Sequence, residues 1–356
     1  MNMDILGEFT QSVFDQMIAD HETWLDSGGS GGQRLNLVGR DLRGLKFHSR
    51  LDQASFVNCD MRYTQFDRTT KLSKCVFRAS DFSFAHFSTN SCRESDFSEC
   101  TLSRSIFAPG SYLSTCEFAG AAVDFTDFRG AKFQSCSFKN NSFRLTQFGE
   151  GTDLTGTKKE TVFHNSQFDN CDLSGQDMRN VGLLDVQLEA CNLSACDLRN
   201  ISFSHGTSTT SKLRNVVFDF ARLSGANFDG LDLTTVSFRF ATMENFKIRN
   251  AKCSDVDFSQ NSMPEADFSK SNMSRCTFSK SNLRKARFNS AFISGSDMQE
   301  ATLDLADLTN ADLSTANLLG ATVNNTIFTN TVLRGATYVD GKTCNASSVG
   351  GCFFDP

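Results

Sequence analysis

Large apolar residues recur at every fifth position through most of this chain, and that spacing leaves few folds open. From Phe163 to Tyr338 a single register has 36 slots, of which 35 are apolar: 14 Leu, 11 Phe, 5 Met, 2 Ile and one each of Val, Cys and Tyr. Ser208 is the exception. Helices repeat at about 3.6 residues and strands at about 2, so neither explains a period of five. The slot two residues earlier is restricted too. It is Ala, Ser, Cys, Thr or Gly in 26 of the 36 repeats, and Val in five more. The residue between is often Asp or Asn, as in Ala306-Asp307-Leu308, Ala311-Asp312-Leu313 and Ala316-Asn317-Leu318.

The register reaches upstream with slips. Leu37, Leu42 and Phe47 open it; Phe56, Met61 and Phe66 follow after the loss of one residue. One extra residue leads to the run Leu72 to Phe107, and another to the run Leu113 to Phe148. Each slip predicts a local bulge or loop. One large and one small slot in each five residues therefore point inward, and the other three face solvent and make the corner. Composition agrees. The chain has 35 Phe but 3 Tyr and 1 Trp, and rings without a polar handle belong in dry interiors.

This unit resembles the A-(D/N)-L-x-x signature of the pentapeptide-repeat family, over roughly residues 35 to 338. The resemblance implies an all-β solenoid, a right-handed quadrilateral β-helix in which four five-residue sides close a coil of 20. It implies about 15 coils and a rod roughly 70 Å long at the ~4.8 Å strand spacing. Stacking at 20 residues would then set Phe218, Phe238, Phe258 and Phe278 on one face and Leu173, Leu193, Leu213 and Leu233 on another. Such a motif specifies fold and is nearly silent on function.

Three parts follow. Residues 1–34 hold an amphipathic helix over 4 to 25, with Ile5, Phe9, Val13, Met17 and Trp24 near one face, and a Gly/Ser connector at 27–32. The string His21-x-x-Trp24-Leu25-x-Ser27-Gly28-Gly29 is similar to leaders of some pentapeptide-repeat proteins, which favours a cap on the first coil. Residues 35–338 form the β-helix, with an irregular segment at 149–162 and a second weak point at 205–211. Residues 339–356 leave the register. With Tyr338, Phe353 and Phe354, this tail either covers the last coil or joins two copies end to end, as many members of the family do.

Loops on a rigid scaffold are where recognition concentrates, which makes Asp153, Lys158, Lys159, Glu160 and His205 the candidate interaction loop. Charge marks a second surface. Residues 239–287 hold ten bases and five acids, and Lys270, Arg275, Lys280 and Lys285 recur every five residues, a spacing that girdles one coil. The stretch 288–333 holds Asp297, Glu300, Asp304, Asp307 and Asp312 and no base. Such banding suits the positioning of a charged partner.

Nothing points to catalysis. The five His are scattered, there is no phosphate-cradling loop, and the Asp at 177, 197, 257, 267, 297 and 307 share one turn-side slot. Carboxylates there serve local backbone. Of 13 Cys, 11 fall in inward slots and act as small hydrophobes, which fits a reducing, cytoplasmic setting. Cys344 and Cys352 lie outside the lattice with a spacing poor for zinc. No catalytic, cofactor or metal site is expected. A net charge of -6 argues against direct nucleic-acid or anionic-membrane binding, and no apolar run is long enough to span a bilayer.

The leading expectation is a non-catalytic bacterial interaction or scaffold protein with an unknown protein partner. An alternative resembles the quinolone-resistance branch of the family: a DNA mimic that binds DNA gyrase or topoisomerase IV. Duplex DNA carries a charge every ~1.7 Å, far denser than this chain offers. A secreted bacterial effector is the third reading, and it would carry its export signal in residues 1–34.

Overall fold

The computed structural model describes residues 9–88, 90–148, 152, 154, 161–163, 166–179, 181–183, 185–203 and 211–355. The chain is an all-β solenoid of stacked coils with one short helix. It divides into two units, residues 1–167 and 168–356.

The backbone of one repeat explains the sequence pattern. In 306–310, Ala306 and Leu308 are buried and Asp307 lies between them. The Asp307 N–H donates to Ala286 in the preceding coil, while those of Leu308 and Asn310 donate to Ile327 and Thr329 in the next. The Ala306 N–H closes a turn onto Leu303, and the Thr309 N–H donates to Oδ1 of Asp307. All five donors are satisfied, as buried backbone requires. Asp or Asn at the middle slot is therefore a turn residue that supplies an acceptor two residues on. The last slot is left-handed, as at Asn310 with φ 58°. Proline scarcity follows as well. Pro264 sits in the fourth slot, whose N–H takes no part in the coil-to-coil ladder.

In the first unit, parallel strands stack as Lys46–Phe47, Gln65–Phe66, His86–Phe87 and Ile106–Phe107. A second stack holds Lys71–Ser73, Ser91–Arg93, Tyr112–Ser114 and Lys132–Gln134. Inside, Phe47, Phe66, Phe87 and Phe107 form a ladder with centroids 4.4, 4.5 and 4.3 Å apart. The slips are absorbed as coils of altered length. Phe47 pairs with Phe66, 19 residues on, and Phe66 with Phe87, 21 on. The lost residue falls after Phe47, where Leu51 is fully buried and takes the slot. The gained residues fall at turns containing Arg68-Thr69 and Pro109-Gly110.

The second unit is more regular. Bridges join Asp257 to Thr277, Ser262 to Asn282, Asp267 to Arg287 and Asn272 to Phe292, each 20 residues apart. The expected ladder Phe218, Phe238, Phe258 and Phe278 is present, with stacked centroids 5.4, 5.5 and 5.3 Å apart. The expected Leu ladder is not continuous. Asp172 bridges Asn192 at 20 residues, but Leu188 pairs with Leu213 and the Leu193 N–H donates to Val217. Five more residues than a coil takes lie between these partners. The first unit has the same 25-residue offset, from Ser137 to Val162. Both irregular segments thus insert one repeat's length.

The helix runs Gln11–Asp26, capped by Thr10, whose hydroxyl accepts from the Val13 N–H. Its buried residues are Phe14, Ile18 and His21. This corrects the expected face: Ile5 lies outside the described residues, Val13 is 50% exposed, and the helix, which runs from Gln11, meets the coil through the face of Phe14, Ile18 and His21, one residue round from Val13. Phe14 packs on Phe47, with centroids 4.7 Å apart.

Candidate interaction surfaces

The candidate loop residues Asp153, Lys158, Lys159, Glu160 and His205 lie outside the described residues. Their segment is not wholly external, since Thr152 and Leu154 are both buried. Leu154 is the sixth residue after Phe148 in the inward register, where the period of five points to 153.

Lys270, Arg275, Lys280 and Lys285 all occupy left-handed corners, with φ of 62°, 58°, 58° and 59°. Three of them are committed to acids one coil away. Arg275 grips Asp255 through two bonds of 2.7 Å, Lys285 meets Glu265 at 2.8 Å, and Lys280 lies 3.9 Å from Glu300. The hydrogen bond from Arg275 lowers the Asp255 carboxyl, and that from Lys285 lowers Glu265. Lys285 also lines a cleft of about 380 Å³ with Asn245, Lys247, Glu265, Asp267 and Arg287. The basic girdle is therefore substantially neutralised on the surface itself.

The acidic stretch is structural in its local bonding. Oδ1 of Asp297, Asp307 and Asp312 accepts from the N–H two residues on, at 3.1, 3.0 and 2.9 Å. Asp177, Asp197, Asp257 and Asp267 do the same. Burial raises the Asp307 carboxyl, but bonds from Thr309 and Asn289 outweigh it and hold it below the usual range. Asp304 instead reaches across a coil: the Asn324 N–H donates to it at 2.9 Å and lowers its pKa.

At the C-terminal end the tail folds back antiparallel. Val332 bridges Val349 and Thr337 bridges Thr343. Cys344 and Ser348 are buried there, and Cys344 forms a disulfide with Cys352. Phe353 and Phe354 are 52% and 42% exposed, so neither is buried against the coil, and Tyr338, in the last inward slot, is half-buried. The other 11 cysteines are buried thiols. Burial pushes Cys75, Cys100, Cys196 and Cys276 up to about 12, which makes them inert packing groups.

One feature escaped the sequence pattern. Tyr63, Phe84, Arg104, Phe125 and Leu145 are exposed at the same corner of successive coils. Their separations alternate between 21 and 20 residues, so a search at period five scatters them. Among the described residues no helix can cross a membrane and no group of side chains could hold a metal ion.

Coils of five-residue units, sealed by in-register ladders, define a β-solenoid repeat protein. The chain matches the family described as pentapeptide repeats in eight copies, over residues 159–194, 211–250, 251–289 and 296–335. It belongs to the pentapeptide-repeat family. Similar solved structures include HetL of the cyanobacterium Nostoc sp. strain PCC 7120, a pentapeptide repeat protein involved in heterocyst differentiation regulation. It is 19% identical over 92% of this chain and 97% of its own, with a TM-score of 0.23. QnrB1, a plasmid-mediated fluoroquinolone resistance protein, is 20% identical over 60% and 93%, with a TM-score of 0.30. Rfr23 of the cyanobacterium Cyanothece 51142 is 19% identical over 42% and 85%, with a TM-score of 0.13. At these values the likenesses carry no functional argument. No curated protein matches the chain.

Proposed function

We propose that this chain is a non-catalytic interaction protein that presents residues on its outer turns to a protein partner. The division of labour within each repeat carries the reading. Inward slots are filled and the middle slot serves the backbone, as in 306–310, which leaves the corner residues as the variable surface. We infer that the coils close as a right-handed quadrilateral of 20 residues, about 15 in all at one coil per ~4.8 Å. The four bridges starting at Asp257, Ser262, Asp267 and Asn272 support four sides; the handedness rests on the family resemblance. The inserted segments around Asp153, Lys158, Lys159, Glu160 and His205 are the proposed recognition loops.

A second copy of this chain is the proposed occupant of the C-terminal end. Val323 and Phe328 are only half-buried, and among the described residues their N–H groups have no backbone partner. Open strand edges of this kind template pairing. The cytoplasm is the proposed compartment on the buried thiols, although the Cys344–Cys352 bond points the other way.

Affinity capture with the purified full chain from cells that produce it tests the main reading. A stoichiometric protein partner supports it, and a chain that retains none overturns it. A gyrase supercoiling assay separates the alternative, a DNA mimic acting on DNA gyrase or topoisomerase IV. Inhibition there would replace the scaffold reading, against the internal pairing of Arg275, Lys280 and Lys285 with acids.

A further inference from the structure

In the first unit, five consecutive corners carry bulky residues in left-handed backbone: Tyr63, Phe84, Arg104, Phe125 and Leu145, with φ between 51° and 62°. Glycine and asparagine suit such corners, and aromatic rings do not. The N–H groups of Tyr63, Phe84, Arg104 and Phe125 each donate into the following coil, so the side chains form a continuous column. Tyr63 stacks on Phe84 at 5.0 Å and 13°. Arg104 is held between two rings, 5.5 Å from the centroid of Phe84 and 5.2 Å from that of Phe125. The Arg144 guanidinium lies over Phe125 on the other side, at 5.9 Å. Ile106 is exposed two residues from Arg104.

Two observations choose the occupant. Both faces of Phe84 and of Phe125 are taken, by Tyr63 and by the Arg104 and Arg144 guanidinium groups, so between Tyr63 and Arg144 the column offers edges, not open faces for bases or sugars to stack on. The Arg104 side chain meets no carboxylate among the described residues, although many arginines of this chain are paired with Asp. A guanidinium clamped by cation–π contacts keeps its fork of N–H donors free and pre-oriented. Rings and arginine around an unpaired charge are also the composition of protein interface centres.

We propose that this column docks an acidic segment of a protein partner, with a carboxylate on Arg104 and flanking apolar side chains against Tyr63, Phe84, Ile106, Phe125 and Leu145. The proposal rests on the interaction-protein reading and deepens it.

The test is fluorescence anisotropy with the full chain and a labelled synthetic octapeptide that sets glutamate between leucine and phenylalanine. Saturable binding is expected, weakened roughly tenfold or more by Glu to Gln in the peptide or by Arg104→Gln in the protein, the loss of one charge-assisted bidentate contact. Phe125→Ser weakens it as well. Phe220→Ser does not; Phe220 stacks on Phe240 at a corner of the second unit without a guanidinium between them. Equal affinity for the Glu and Gln peptides, indifference to Arg104→Gln, no saturable binding, or tighter binding of a labelled oligothymidylate would each overturn the proposal. Capture with the parent chain tests the interaction-protein reading wherever the partner docks. Capture that survives Arg104→Gln while the peptides fail removes the column and leaves the interaction protein standing.

Discussion

Asp229 and Arg249, one coil apart, are joined at three points. The Arg249 N–H donates to Oδ1 at 2.7 Å, and its Nε and Nη2 donate to Oδ2 at 3.0 and 2.5 Å. The Asp229 side chain is only 9% exposed, whereas both members of the Asp255–Arg275 pair are more than half exposed. The same chemistry therefore carries different weight at the two sites. Exposed pairs are screened and contribute little.

Asp229→Asn keeps one acceptor and turns an amide toward the guanidinium. It is expected to cost about 1 kcal/mol after allowance for the half-exposed arginine. Asp255→Asn is expected to leave the unfolding midpoint unchanged. Chemical denaturation of the two variants beside the parent checks the contrast; equal losses would show that burial does not separate the clamps.

Phe238 sits between Phe218 and Phe258 in the ladder and touches Phe228 and Phe246 edge-on. Phe238→Ala leaves a cavity with few ways to collapse and should cost about 3–5 kcal/mol. Phe238→Asp places an unpaired charge there and should uncouple several coils at once, because each coil is stabilised by its neighbours. Phe220→Ser, on the exposed stack, is expected to change stability by less than about 1 kcal/mol. An unchanged cooperative transition for Phe238→Asp would contradict the inward register.

What was legible in the sequence is what the ladder repeats. The large inward slots are buried from Leu37 as far as Leu318 wherever they are described. They fail at Val323, Phe328 and Tyr338, where no further coil lies beyond. The role of Asp307 in its turn was legible for the same reason. The Leu ladder misled because an inserted repeat shifts Leu213 from beside Leu193 to beside Leu188. The Tyr63 to Leu145 column was hidden because single-residue gains alter the coil length exactly where it runs. The pairing of Cys344 with Cys352 depends on the tail folding back, and no period in the chain encodes that.

His21 joins the helix to the first coil and is fully buried. The Leu35 N–H donates to its Nδ1 at 3.1 Å, so the ring's proton is on Nε2, which donates to the Asp52 carbonyl at 3.0 Å. Burial lowers its pKa below the ordinary value, with the nearby Arg34 acting the same way and the Asp52 carbonyl and carboxylate opposing. Protonation would displace the Leu35 bond. A depressed pKa means full stabilisation above about pH 6.5, the unfolded value, and progressive loss as the pH falls toward the folded value. Hydrogen exchange across residues 11–26 should therefore quicken, after correction for intrinsic rates, as the pH drops from neutral toward 5. His21→Gln should flatten that dependence. A parent protein whose helix protection is independent of pH in this window would contradict the assignment.

The disulfide closes a loop of sequence separation 8, which by chain entropy restricts the unfolded tail by about 2.5 kcal/mol. That loop begins at Cys344 and contains Ser348, whose carbonyls accept the N–H groups of Gly335 and Leu333. Reduction, or Cys352→Ser, should thus speed exchange at those two amides while leaving Leu303 and Leu308, which donate to Thr322 and Ile327, protected. Thiol titration of the denatured, trapped protein supplies the complementary reading. Eleven reactive thiols of the 13 cysteines are expected if the bond is present in the cell. Titration of all 13 would show the tail reduced in its native compartment and would put its hold on the last coil down to backbone pairing alone. Unchanged exchange after confirmed reduction would lead to the same conclusion from the structural side.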